Sequence, residues 1–489
     1  MLFIGVDLGT TNIKAAAYDE QFQLLGRESA PVTYVRSGPV VEFDAEAYYD
    51  ALLEMLNRLL DRPSVDRSQV AQLVFTGQAE SLVVLDNEGK ALMRAISWMD
   101  ERSEDECALL AGRFDPRLCE SVTGQQAVLP TWPATKVLWL KHHAPEIYAA
   151  AARYLLLKDY IVYRLTGVME ADMSIATFSF WFDIYGKTYW TEMLEALGLR
   201  QEQLAPLTEP CTVAGALTAE AAEALGLTRT VRVNHGTLDH FTGMIGTGNT
   251  RPGGVSLSTG TVMALAAMAK SPVTDRCCGV AMHYGFRPDT HVMLPVAESG
   301  GVSLEWFRKT CMGDVDYDQL NRVLADRPRP GPIVFLPYLV GTNAPEFDRR
   351  ASGVFFGLRA EHDRYDMAAA VMEGVACLLK KNCDDLRAKG AEPERIIATG
   401  GGARSDLWCQ MQADLTGLPV VRPVEMEAAC LGAAMIGTVS EGVYPSYEAA
   451  AEAAVSLDRR FLPERTEAYA QTYRRFCALY EAAVQIAEL

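Results

Sequence analysis

Five short segments carry residue types suited to phosphates and hydroxyl groups. The first is DLGTTNIK (7–14). Gly9 lets the backbone approach a ligand closely. Thr10, Thr11 and Asn12 supply hydroxyl, amide and backbone N–H donors in one tight turn, which can form an anion nest. Asp7, at the end of an apolar run, suits a hydrated Mg2+, which takes few carboxylates and keeps several waters. An ordinary hairpin turn is the plain alternative. It is not a Walker loop, because GxxxxGK[ST] does not occur in the chain. STGT (258–261) offers the same chemistry again. Alone it is a turn; two such loops facing each other across a cleft would hold a triphosphate from both sides.

IIATGGGARSDLWCQMQADLTGLPV (396–420) brings an apolar run to Gly400, Gly401 and Gly402, and a helical pattern follows. Three glycines let a backbone pass close to a flat group or a phosphate. Ser405 or Asp406 can cap the helix. The spacing does not fit the GxGxxG dinucleotide fingerprint. VNHGTLDHFTGMIGTG (233–248) sets Asp239 between a short strand and an apolar helical run. An N-cap carboxylate and a general base near a hydroxyl substrate are both compatible with that place. His235 and His240 flank it, and lone histidines are more often structural. Finally, TGQAESLVVLD (76–86) and ISWMDERS (96–103) put Gln78, Glu80, Trp98, Asp100 and Arg102 beside apolar strands. Polyhydroxylated ligands need such donors and acceptors together with a flat apolar face. A solvated charge run is the alternative for Glu101 to Glu106.

The elements that must position these residues read as α/β. LFIGVDL (2–8), IKAAAYD (13–19) and FQLLGRES (22–29) form a meander with short loops. Residues 45–61 have apolar positions at helical spacing, and VAQLVFTG (70–77) is a strand. Residues 133–166 are helical in pattern. GGVSLSTGTVMALAA (253–267) restarts the strand, Gly-Thr turn, strand sequence, which hints at a duplicated unit. Arg251-Pro252-Gly253-Gly254 marks a boundary, and residues from about 445 to 489 read as helical. A chain of 489 residues predicts two large domains. They are placed at 1–247 and 248–489.

Composition narrows the function classes. Hydrophobic residues make up 49% and charged residues 22%, as in an ordinary globular protein. No run of about 18 apolar residues reads as a membrane span, and the N-terminal residues do not read as a signal peptide. The net charge of −18 opposes binding to nucleic acid or to an anionic membrane surface. The eleven cysteines are scattered with no CxxC pair. They argue against a disulfide framework and against a zinc site, and for a reducing cytoplasm where nearly all act as small buried hydrophobes. A small-molecule partner remains.

Together these segments resemble the FGGY family of carbohydrate kinases, over nearly the whole chain. GVFFGLRAEHDRYDMAAAVMEG (353–374) looks like the family's second signature, and WPATKVLWL (132–140), with Lys136 and Trp139, like its first. Residues 400–420 are close to its adenosine-binding segment, and EADMSIATFSFWFD (170–183) to its acidic–hydroxyl segment. The resemblance implies two actin/hexokinase-like (ribonuclease H-like) α/β domains, an N-terminal one for sugar and a C-terminal one for nucleotide, with an interdomain active-site cleft. It implies ATP and Mg2+ and phosphorylation of a small sugar or polyol, with a homodimer as the assembly. Asp239 would be the catalytic base and Asp7 the metal ligand. Thr10, Thr11, Asn12, Lys14, Gly260 and Thr261 would hold phosphates. Gly401, Gly402 and Ala403 would border the adenosine. Gln78, Glu80, Trp98, Asp100 and Asp239 would face the sugar.

The nearest branch resembles the xylulokinases, so a ketopentose such as xylulose is the expected substrate; ribulose, erythritol, glycerol and gluconate are the alternatives. Where that branch reads Gly-Gln-Met-His-Gly, this chain has Gly77, Gln78, Ala79, Glu80 and Ser81. Where it reads Gly-Glu-Arg-Thr-Pro, this chain has Gly341, Thr342, Asn343, Ala344 and Pro345. A chaperone-like ATPase or a non-catalytic sugar binder on the same fold are the competing classes. The presence of Asp7, Asp239 and the sugar-side polar set favours the kinase.

Overall fold

The computed structural model describes residues 1–341, 346, 348, 350–425 and 428–488. The Thr342–Pro345 departure therefore lies outside the described residues. The strands that matter here are β1 (Leu2–Leu8), β2 (Asn12–Asp19), β3 (Leu24–Pro31), β4 (Val70–Gly77), β5 (Val213–Ala216), β6 (Arg232–Leu238), β7 (Gly254–Thr259), β8 (Met263–Met268), β9 (Arg395–Thr399), β10 (Val420–Pro423) and β11 (Leu457–Phe461). The helices are α1 (Ala45–Leu60), α2 (Glu104–Arg113), α3 (Pro133–His143), α4 (Leu157–Thr166), α5 (Asp239–Gly246), α6 (Arg364–Ala388), α7 (Asp406–Thr416), α8 (Ala428–Ser440) and α9 (Thr466–Ala487).

The chain forms two compact units, and the division is not a single cut in sequence. One unit takes residues 1–250, 271–292 and 427–455; the other takes 251–270, 293–426 and 456–489. In the first, a six-stranded sheet runs β5-β6-β4-β1-β2-β3. Its strands β1, β4 and β6 are parallel neighbours, while β2 and β5 are antiparallel to theirs. β1 is buried along almost its whole length, as a central strand covered on both faces must be. Helix α8 contributes to one cover. It reaches the sheet because a small residue lets backbones meet: a Cβ on Gly5 would lie 2.1 Å from the Cys430 carbonyl oxygen. Gly432 does the same against α5, where a Cβ would lie 2.0 Å from the Thr242 carbonyl oxygen. Helix α1 packs its Tyr48, Leu52, Met55, Leu56 and Leu59 stripe into a core with Leu2, Ile4, Val6 and Leu8 of β1, with Asp44 capping its first turn.

The second unit repeats the connectivity in the order β8-β7-β9-β10-β11. β7 and β8 form an antiparallel hairpin, β7, β9 and β10 are parallel, and β11 closes antiparallel on β10. The first unit has the same pattern in β2-β1-β4-β6-β5. The repeated Gly-Thr turn thus marks equivalent hairpins in two sheets of one topology.

Two helical expectations are corrected. Residues 133–166 are not one helix. Pro145 disfavours helical backbone at Ala144 and ends α3; a short helix follows at Pro145–Ala150, then the strand Arg153–Leu156, then α4. The Tyr154-Leu155-Leu156 run is apolar because it pairs with Leu82–Leu85 in a second small sheet. Likewise the C-terminal segment contains β11 between its helices, since Leu457–Phe461 completes the sheet edge. The cysteines are less uniformly buried than expected: six of the eleven are buried, and Cys311 is exposed. No helix among the described residues is long and apolar enough to cross a membrane.

Candidate active site

In the first unit the β1–β2 hairpin delivers the Gly9-Thr10-Thr11 turn. Asp7 lies one residue before the end of β1, opposite Lys14 on β2 and Thr76 on β4. A closed ring of hydrogen bonds ties this turn to residues 78, 81 and 98. Gln78 Nε2 donates to the Gly9 carbonyl at 3.3 Å. Ser81 Oγ donates to Gln78 Oε1 at 2.8 Å and accepts the Trp98 backbone N–H at 3.1 Å. Trp98 Nε1 returns to Thr10 Oγ1 at 2.9 Å. Tyr48 adds a second donor to the Gly9 carbonyl at 3.3 Å. Residues 9, 10, 78, 81 and 98 therefore act as one rigid element, because each buried polar atom has its partner.

Glu80 sits beside this ring with φ +67, a left-handed backbone that a side chain with a Cβ rarely adopts. Such strain persists where the surroundings over-determine it, commonly at ligand sites. Burial pushes the Glu80 carboxyl up to about 7, and the nearby Asp239 charge adds to the rise; Lys136 and a 3.3 Å hydrogen bond from Thr131 oppose it. Lys136, fully buried on α3, donates to the Ser97 carbonyl at 2.8 Å and to the Glu80 carbonyl at 3.3 Å. Burial lowers its ammonium, and the Glu80 charge holds it up. Removing charges from water disfavours them, and mutual attraction restores part of the loss.

Asp239 is the first residue of α5, half-buried, with Oδ1 accepting the His240 backbone N–H at 2.6 Å. The preceding strand end is held by a buried network. Thr237 Oγ1 donates to Ser174 Oγ at 2.8 Å, and the Leu238 backbone N–H reaches the same oxygen at 3.3 Å. Ser174 in turn donates to Asp172. Lys158 Nζ lies 2.8 Å from Asp172 Oδ2 and donates to the His235 carbonyl at 2.7 Å. Gly236 is obligatory here: its φ is +59, and a Cβ would lie 1.8 Å from the Phe75 carbonyl oxygen. His235 is buried and pairs with Glu170 at 3.0 Å, a structural place.

The Asp100 N–H shares the Ser97 carbonyl with Lys136, at 3.1 and 2.8 Å, but the Asp100 carboxylate is engaged by other partners. Asp100 is fully buried, and its carboxylate accepts the Val41 N–H at 2.6 Å, the Arg102 N–H at 3.0 Å and the Arg102 guanidinium at 2.7–2.8 Å. Arg102 also bridges to Glu42 at 2.8 Å. Neither oxygen of Asp100 lacks a partner, so it reads as a fold-holding carboxylate.

In the second unit the STGT turn and the triple glycine lie side by side. The Gly260 carbonyl accepts the Gly301 N–H at 2.7 Å. Gly400, at φ +77, and Gly402 pass so close to Thr259 that a Cβ would meet it at 2.9 and 2.8 Å. Gly260 and Gly401 differ: a Cβ on either meets open space or nothing closer than 4.0 Å. Two of the three glycines thus pack the loops together, and Gly401 faces outward. Ala403 is buried, and its carbonyl accepts from Arg422 at 2.9 Å. Ser405, not Asp406, caps α7 by accepting the Trp408 N–H at 3.1 Å.

Ser81, Lys158, Asp172 and Ser174 were not singled out by residue type alone. The signal for the last two was the acidic–hydroxyl segment 170–183; Ser81 and Lys158 had none, because their partners are distant in sequence.

The N-terminal-domain pattern of the FGGY family of carbohydrate kinases matches residues 2–246, and the C-terminal-domain pattern matches residues 255–441. Xylulose kinase of Escherichia coli K12 is 33% identical over 418 residues, 85% of each chain. The crystal structure of xylulose kinase from Rhodospirillum rubrum superposes with a TM-score of 0.93 at 26% identity, covering 100% of both chains. That of gluconate kinase from Lactobacillus acidophilus gives 0.91 at 25% identity, covering 98% of both. A two-unit α/β chain with paired Gly-Thr hairpins, matched on both halves, belongs to the FGGY family of carbohydrate kinases.

Proposed function

We propose that this kinase transfers the γ-phosphate of ATP to a hydroxyl of a ketopentose such as xylulose, in the cytoplasm. The observation that carries the reading is Asp239 at the start of α5, its strand end fixed by Ser174, Asp172 and Lys158. Asp239 takes the proton from the sugar hydroxyl as that oxygen attacks the γ-phosphorus; the β–γ bridging oxygen leaves with ADP. Gln78, Glu80 and Trp98 form the sugar side within residues 1–247. Asp100 backs them through the Ser97 carbonyl, which its N–H shares with Lys136. Gly260, Thr261 and Gly401 receive the nucleotide within residues 248–489, with the buried Gly402 and Ala403 shaping the loop behind them, and Thr10, Thr11, Asn12 and Lys14 receive phosphate. The hard oxygen donors at Asp7 and the Gly9-Thr10 turn suit Mg2+, which would neutralise phosphate charge. Positioning and charge neutralisation supply most of the rate in such transfers.

Relatives named for xylulose and for gluconate leave the acceptor to be argued. Glu80 favours a neutral sugar, because a carboxylate substrate would bring a third like charge beside Glu80 and Asp239. ADP release with Mg-ATP against D-xylulose, L-xylulose, D-ribulose, L-ribulose, L-fuculose, glycerol, erythritol and gluconate tests this. A ketopentose is expected to give the highest kcat/KM; gluconate leading the panel would refute the assignment.

Two variants probe the subsites. A Cβ at Gly401 meets nothing closer than 4.0 Å in the folded chain, so Gly401→Val is expected to raise the KM for ATP while the sugar KM stays put. An unchanged ATP KM would remove that loop from the nucleotide site. Glu80→Gln is expected to raise the sugar KM. Glu80 is ionised above about 7, so sugar affinity in the parent enzyme should fall as pH drops through that value. The variant should lack this limb; identical profiles for both proteins would exclude Glu80 from sugar binding.

A further inference from the structure

Helices α2 and α3 bring together three side chains that the phosphoryl transfer does not use. Glu106, on α2, is 2% exposed. Its Oε1 lies 3.2 Å from His142 Nδ1 and 3.3 Å from His143 Nε2, both on the last turn of α3. Glu106 Oε2 is buried as well and has no hydrogen-bond partner. The three potential ligand atoms all lie within 4.8 Å of one another. Zinc bonds to imidazole nitrogen and carboxylate oxygen are about 2.0–2.1 Å long, so neighbouring ligand atoms of a tetrahedral site stand about 3.3 Å apart. Two of the three separations already have that value. The histidine side chains are 40% and 51% exposed, which leaves a path from solvent and room for a water as fourth ligand.

We propose that Glu106, His142 and His143 form a surface site for a divalent transition metal of the zinc class, which fastens α2 to α3. Scattered cysteines argue against zinc held by thiolates, but this ligand set contains none. Its consequence is mechanical: α3 also carries Lys136 to the Glu80 carbonyl, and Arg102 lies just ahead of α2. The ring of His143 is stacked on Trp139 at 5.1 Å and 20°, with the Arg102 guanidinium 4.9 Å from the same indole. These packed groups hold His143 in a ligating orientation before any metal arrives, as outer partners do in metal sites.

The test is titration of the full chain with Zn2+ alone, after EDTA treatment and without nucleotide, by calorimetry and by thermal melting. One Zn2+ per chain is expected at His142 and His143. His142→Ala and His143→Ala should each weaken binding at least tenfold and abolish the Zn2+-dependent rise in melting temperature, which follows from binding to the folded state. Both positions are exposed, so the variants fold. As an independent readout, Co2+ is expected to quench indole fluorescence in the parent chain and to quench it less in Trp139→Phe. Zinc affinity equal in the parent and both histidine variants would place the metal on thiols elsewhere and overturn the site. So would the absence of Zn2+ binding, which would leave a plain histidine–carboxylate contact.

Discussion

Asp239→Asn is expected to lower kcat by about 10²–10⁴-fold, the usual contribution of a positioned general base, while the KM for ATP changes little. Asn keeps the shape and the acceptor for the His240 N–H but cannot take the hydroxyl proton. The pre-steady-state transient distinguishes this from a binding defect: sugar and Mg-ATP should still bind, with phosphoryl transfer itself slowed. Near-normal turnover in the variant would transfer the role of base to another group. Because ADP release without sugar would be unaffected by the loss of a base for the sugar hydroxyl, the ratio of coupled to uncoupled turnover should fall along with kcat.

Lys158→Met should destabilise the unit that contains it by about 3–5 kcal/mol, because removing one partner of a buried ion pair strands the other charge. Lys158 and Asp172 are both fully buried, and the lysine also holds the His235 carbonyl on the strand leading to Asp239. The neighbouring Asp159, pushed up to about 7 by burial and restrained by Lys158, would lose its stabilising cation too. Denaturant unfolding followed by a probe in that unit measures the loss. The double variant Lys158→Met with Asp172→Asn is expected to recover most of it, since neither charge remains and Asn retains the acceptor for Ser174. A loss below about 1 kcal/mol in the single variant, or no recovery in the double, would show that the network does not hold the strand end.

Both expectations concern one short strand end, yet the sequence spoke to them unequally. Asp239 stood out because a polar residue between an apolar strand and an apolar helical run is a local signal. The β1–β2 and β7–β8 hairpins were legible for the same reason: alternation and a Gly-Thr turn act over fewer than ten residues. The partners of these elements were not legible. Periodicity says which face of a segment is buried, not what buries it. That α8, more than 400 residues downstream, covers the sheet containing β1 is settled by the absence of a side chain at Gly5, against the Cys430 carbonyl, and only in three dimensions.

The same limit explains the 133–166 segment, where an apolar run looked helical until its pairing with Leu82–Leu85 made part of it a strand. It explains Asp100, whose type suits a sugar but whose carboxylate is filled by Val41 and Arg102. The local chemistry of this protein, from its phosphate-type turns and its strand-to-helix aspartate to its family signatures, was determined by the sequence alone. Tertiary structure decided which polar groups meet: Ser81 closing the ring between Gly9 and Trp98, Lys158 against Asp172, and Lys136 beneath Glu80. A short-range motif fixes its own backbone through turn geometry, whereas a buried polar contact between distant residues exists only once the sheet order has brought their strands and helices together.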